Sequence, residues 1–203
     1  SERKEKIKRI NNINKEERRV LTNARCLSEG VDIPTLDGIG FIDPKSSQID
    51  IIQAVGRAIR KNIDKKVGTI IIPIYVGNID EIDETILSNK FSDVYKIILA
   101  LKSQDDALND FIDQIRVSMG EKKQKIFNEN YSEKIIFDLP EKINSRFASN
   151  LKTLLIENTS SNWLEKLGEL KRFFKEYKHY YPDSKNNAVL SKWVDTQRNL
   201  YNK

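Results

Sequence analysis

The sequence predicts an α/β fold: a parallel sheet flanked by helices, then a helical region ending in a small helical module. Three observations predict it. Short apolar, β-branched runs fall at residues 19–23, 38–43 and 69–76. An amphipathic helix is predicted between the second and the third, the spacing of a parallel crossover. From Phe91 onward the apolar residues recur at helical spacing instead, with no further strong strand run.

Residues 1–17 are highly charged, with Ile7, Ile10 and Ile13 at a spacing of three. This suits one helix. The run at 19–23 reads as a short buried strand and the loop after it carries LSEGVDIP, in which Gly30 permits a tight turn and Asp32 offers an acceptor. Pro34 stops any helix there. The run at 38–43 reads as a second strand. Ser47 followed by Asp50 then forms a capping-box-like start for a helix.

That helix carries the chemistry. Gln53, Gly56, Arg57 and Arg60 form a Q-x-x-G-R-x-x-R run. At about 3.6 residues per turn, Gln53, Arg57 and Arg60 lie within roughly 60° of one another. Ile51, Ile52, Val55, Ala58 and Ile59 fall on the other side, toward a core. Two arginines and an amide in one row suit an anion, above all a nucleotide phosphate. Gly56 leaves room beside Arg57 for a phosphate or another backbone. An isolated R-x-x-R is more often an ordinary solvated helix face, and the loop upstream is what favours the ligand reading. In open α/β sheets, polar groups after the strands mark the ligand crevice.

EGVDIP resembles motif V, and QAVGRAIR motif VI, of the second RecA-like domain of superfamily-two helicases. The longer wording resembles the DEAD/DEAH-type bacterial helicases related to the Res subunits of restriction enzymes. The resemblance implies a RecA-like parallel sheet, N-terminally truncated because no motif IV strand and helix precede motif V. It implies that Arg60 is an arginine finger reaching the γ-phosphate of ATP on another RecA-like domain, with Arg57 beside it. Gln53 is implied to link nucleotide state to domain closure, Gly56 belongs with it to the nucleotide-binding residues, and Gly30 and Asp32 are implied to lie near nucleotide and ribose. The loop from Thr22 to Glu29, with Thr22 and Ser28 as its candidate contacts, is implied to lie between the ATP site and the nucleic-acid backbone.

No Gly-rich phosphate loop and no paired acidic Mg²⁺ box occur in the sequence. The chain is therefore expected to hold half of a composite site. ATP and Mg²⁺ would be bound mainly by a first RecA-like domain of the same polypeptide, and the chain reads as an excised piece. Nucleic acid is the expected partner, DNA rather than RNA, and the expected location is cytoplasmic.

Composition agrees. A formal charge of +5 and a pI near 9.1 favour a polyanionic partner. Cys26 is the single cysteine, which excludes an internal disulfide, and His179 the single histidine, which excludes a Cys/His zinc site. No metal site and no membrane span are expected.

Residues 91–119 predict one long helix or two stacked ones, similar to a supporting segment after motif VI in these helicases. Residues 134–139 suit a short strand, 144–156 a helix, and 157–162 a polar linker. Two aromatic-anchored helices follow. Trp163, Leu167, Leu170, Phe173, His179, Pro182, Leu190, Trp193, Val194, Gln197 and Arg198 resemble the pattern of the helicase-associated domain. The expected division is 1–118 for the RecA-like domain with its trailing helix, 119–160 for a connector and 161–203 for this module. Trp163 and Trp193 are expected to fill its core, with stacking on an unpaired base as the alternative. Lys192 and Arg198 are candidate phosphate contacts. Two other functions fit less of the sequence: a non-catalytic nucleic-acid-binding module, and the motor of a restriction-modification enzyme.

Overall fold

The computed structural model describes residues 2–12, 14, 16–22, 33, 35–42, 48–58, 67–74, 90–122, 135–138 and 145–201. They fall into two compact units, Ser1–Gln104 and Asp105–Lys203.

The first unit opens with α1 (Glu2–Asn11), the expected N-terminal helix. Glu2–Lys6 and Glu5–Arg9 ion pairs run along its exposed side, while Ile10 is buried. Strand β1 (Gly38–Gly40) pairs in parallel with β2 (Thr69–Ile71), with Gly38 opposite Thr69 and Gly40 opposite Ile71. Helix α2 (Gln48–Ala58) lies between them in the chain, so the three form a β-α-β unit. Helix α3 (Lys90–Lys102) packs against α2. Ile51 and Val55 of α2 meet Ile97 and Ala100 of α3 in a buried cluster, with Ile70 of β2 and Phe41 and Ile72, the residues just after β1 and β2, packed against it.

Two corrections apply here. Among the described residues the sheet has two strands, and residues 19–22 are irregular. Val20 is 90% exposed, and Arg19 bonds to the Glu17 carboxylate and the Arg9 carbonyl. Val20 and Leu21 are too short an apolar run to bury a face by themselves, and a strand needs a paired neighbour. Residues 135–138 likewise form no strand.

The second unit is helical among its described residues. Helix α4 (Asp106–Lys122) starts where the Asp105 side chain accepts a hydrogen bond from the Leu108 N–H, 2.9 Å. The long apolar stretch is thus two helices, α3 and α4, broken at Ser103–Asp105. Helices α5 (Ser145–Thr159), α6 (Asn162–Tyr177) and α7 (Ala188–Tyr201) follow. The polar linker expected over 157–162 shrinks to Ser160 and Ser161. Thr159 is buried, and its hydroxyl donates to the Leu155 carbonyl at 2.7 Å, so it continues the helix instead of leaving it. Ser161 caps α6 by accepting from the Trp163 N–H, and Lys178 ends it in the left-handed region at φ 61°.

Helix α4 lies closely along α6. Gly120 and Gly168 occupy the contact, where the neighbouring backbones leave no space for a side chain. Arg116, 5% exposed, reaches Glu165 at 2.7 Å and Glu157 at 3.6 Å, so one guanidinium joins α4, α5 and α6. Arg172 donates to the Gly120 carbonyl at 2.6 Å, and Lys175 pairs with Glu121 at 2.9 Å.

Candidate nucleotide and nucleic-acid sites

Helix α2 sorts its residues by face. Ile51 (2% exposed) and Val55 (0%) are sealed into the core, while Gln53 is exposed. The buried side fixes the rotation of the helix, and therefore the direction of the Gln53 row. Arg57 belongs to the same helix one turn further on, with its side chain outside the described atoms. A Cβ built on Gly56 meets no heavy atom within 4 Å, so the glycine leaves open space beside Arg57. Asp50 sits in the first turn, where a carboxylate favours the positive end of the helix. Arg60, Gly30, Asp32 and Ser28 lie outside the described residues, as do Cys26 and Ser47. Thr22 is exposed in the irregular segment.

Lys192 and Arg198 belong to the second unit, both exposed on α7. Arg198 lies over the Tyr181 ring at 4.5 Å, donates to the Tyr180 carbonyl at 3.2 Å, and approaches Asp195 at 3.6 Å. The tryptophans do not fill the core of the module. Trp163 is 44% exposed, and its ring meets Trp193 with centroids 5.7 Å apart. Its indole N–H donates to Gln197 Oε1 at 2.9 Å, linking α6 to α7. Burial falls instead to Phe173, Leu190 and Val194. An indole must satisfy its N–H, which favours a rim position over an apolar centre.

Sequence reasoning missed Tyr180 and Tyr181 as members of this surface. Tyr180 stacks on Phe174 at 4.2 Å with the rings 9° from parallel, and Tyr181 is 68% exposed. The HYYP turn, three rings beside a proline, is the signal that was available. His179 packs edge-on against Phe173 and accepts from the Tyr181 N–H.

Among the described residues, no cluster of His, Cys, Asp and Glu could hold a metal ion, and no helix is long and apolar enough to cross a membrane.

Residues 1–62 match the helicase conserved C-terminal domain, which supports a superfamily-two helicase C-terminal domain in this part of the chain. Among curated proteins, the chain is similar to a probable helicase of African swine fever virus. In a Kenyan pig isolate the two are 35% identical over 86 residues, covering 42% of this chain and 9% of the viral protein. In the Vero-adapted Badajoz strain the identity is 34% over 86 residues, with the same coverage. The chain thus spans about a tenth of the length of the curated relatives it matches. No solved structure matches significantly.

Proposed function

We propose that this chain supplies the C-terminal motor domain of an ATP-dependent nucleic-acid helicase or translocase. The carrying observation is the two-sided α2: Ile51 and Val55 locked against α3, Gln53 facing out, and Arg57 following in the same row. A helix whose buried face is fixed holds its outward row in a set direction, so less orientation has to be found when a phosphate is met.

In this reading the β-α-β unit is part of a RecA-like sheet. Arg60 is the finger that reaches the γ-phosphate of ATP bound on a P-loop domain, and Arg57 supports it. Gln53 couples the nucleotide state to domain closure, Gly56 leaves room for a phosphate beside Arg57, and Gly30 and Asp32 line the nucleotide. Thr22 and Ser28 lie toward the nucleic-acid backbone. Mg²⁺ is held by the P-loop domain. A cation placed where charge develops is worth about 10³–10⁵ in phosphoryl transfer rate. DNA is the favoured substrate. The helical module from residue 161 is a separate functional part, with Lys192 and Arg198 contacting phosphates.

The test is ATP hydrolysis by this domain together with its P-loop domain, with and without nucleic acid. The reading requires stimulation by nucleic acid and its loss in Gln53→Ala with ATP affinity retained. Hydrolysis that ignores nucleic acid would remove the motor reading. A binding module is the second reading, favoured by the exposed rings of α6 and α7.

A further inference from the structure

The most unusual surface of the second unit joins α6, α7 and the turn between them. Trp163 is bonded to Gln197, next in the chain to Arg198, and Arg198 in turn covers Tyr181 and bonds to Tyr180. The rings are large and substantially open: Trp163 at 44%, Tyr180 at 47% and Tyr181 at 68% exposure. Packing accounts for only part of them: Tyr180 stacks on Phe174 and Trp163 meets Trp193, while the buried positions of these helices are filled by Phe173, Leu190 and Val194.

Charge says what fits. Residues 161–203 hold nine Lys and Arg against five Asp and Glu, so most of the chain's +5 lies here. Lys192 is exposed on the same helix as Arg198. The Arg198–Asp195 contact is long at 3.6 Å, between side chains 43% and 64% exposed, and solvent screens it. A phosphate can displace the aspartate at little cost. Flat rings beside exposed cations match unpaired nucleotides, whose base faces stack while their phosphates meet Lys and Arg. A duplex offers the phosphates but keeps its base faces to itself, and an apolar protein partner would gain nothing from the cations.

We propose that this face is a stacking platform for single-stranded nucleic acid, with Tyr181 and the Trp163–Trp193 pair as base-contacting rings and Lys192 and Arg198 as phosphate contacts. It deepens the helicase reading by assigning the unpaired strand to the C-terminal unit.

The two tryptophans of the chain are both in this pair, so intrinsic tryptophan fluorescence reports on this face and no other. The 203-residue chain is titrated with an oligothymidylate of about twenty nucleotides, longer than the ~4–16 nucleotides held by one small binding fold. The same length of duplex serves as competitor, and anisotropy of a labelled strand measures binding anywhere on the chain. Expected are a saturable quench, weaker competition by duplex, and affinity reduced about 5- to 150-fold in Tyr181→Ala. Lys192→Glu should weaken binding and flatten its dependence on salt. Both side chains are exposed, and circular dichroism verifies that the helices persist. The platform is overturned by absence of a quench, by Tyr181→Ala binding like wild type, or by preference for duplex. Anisotropy binding without a quench removes the platform and leaves the helicase reading standing. A quench in a protein whose ATP hydrolysis ignores nucleic acid does the reverse.

Discussion

Gly120 of α4 and Gly168 of α6 meet where the two helices cross. A Cβ on Gly120 would collide with the Glu165 carbonyl, and one on Gly168 with the Val117 carbonyl. Both obstacles are backbone, so neither can rotate aside. In an open helix, Gly→Ala stabilises by about 1 kcal/mol. Here the sign reverses. Gly168→Ala should destabilise the chain by about 1–3 kcal/mol or more, the cost of overpacking, as read from the urea midpoint. A midpoint equal to or above wild type would contradict the crossing.

Gly56 is the counter-case. Its Cβ position is empty, so Gly56→Ala should stabilise folding by about 0.5–1 kcal/mol. If the opening beside Arg57 admits a phosphate or the facing domain, the same variant lowers stimulated ATP turnover. Stability and activity should therefore move in opposite directions. A variant that is both more stable and fully active would show that the space is unused.

Arg116 is nearly sealed, with its charge met mainly by Glu165. Removing one partner of a buried pair typically costs about 3–5 kcal/mol. Glu165 retains 19% side-chain exposure, which places Glu165→Ala at the lower end of that range. Arg116→Met removes the charge and keeps the apolar stem, so it should cost less than Glu165→Ala. Thermal unfolding of the two variants checks the order.

Asp183 begins the turn into α7. The Asn186 N–H, joined by that of Lys185, holds its carboxyl below the ordinary aspartate range. A depressed carboxyl pKa stabilises the folded state above the unfolded-state value, and the gain is lost as pH falls through the folded one. The Asn186 amide resonance should therefore shift only below the ordinary aspartate range, under about pH 4. Asp183→Asn keeps an acceptor and should abolish that acid transition while leaving the neutral-pH turn intact.

The parts legible in the sequence were those set by local pattern. The apolar face of α2 and the runs at Gly38 and Thr69 foretold the β-α-β unit, because alternation and helical period act over a few residues. Residues 19–22 misled because β-propensity cannot supply a pairing partner. Gly120 and Gly168 read as weak points in their helices, and only the crossing of two elements distant in sequence gives them a purpose. Arg116 likewise reads as a surface cation until Glu157 and Glu165 close over it. The tryptophans were legible as anchors but not as a rim, since exposure is decided by which neighbours fill the centre first.

The central claim is that motif VI completes an ATP site on another domain. The most direct measurement is single-turnover ATP hydrolysis by the assembled two-domain motor, wild type against Arg60→Ala, with ATP binding measured in parallel. The account predicts a loss of ~10³-fold or more in the hydrolysis rate with ATP affinity nearly unchanged. An Arg60→Ala protein that hydrolyses ATP at the wild-type rate would contradict it.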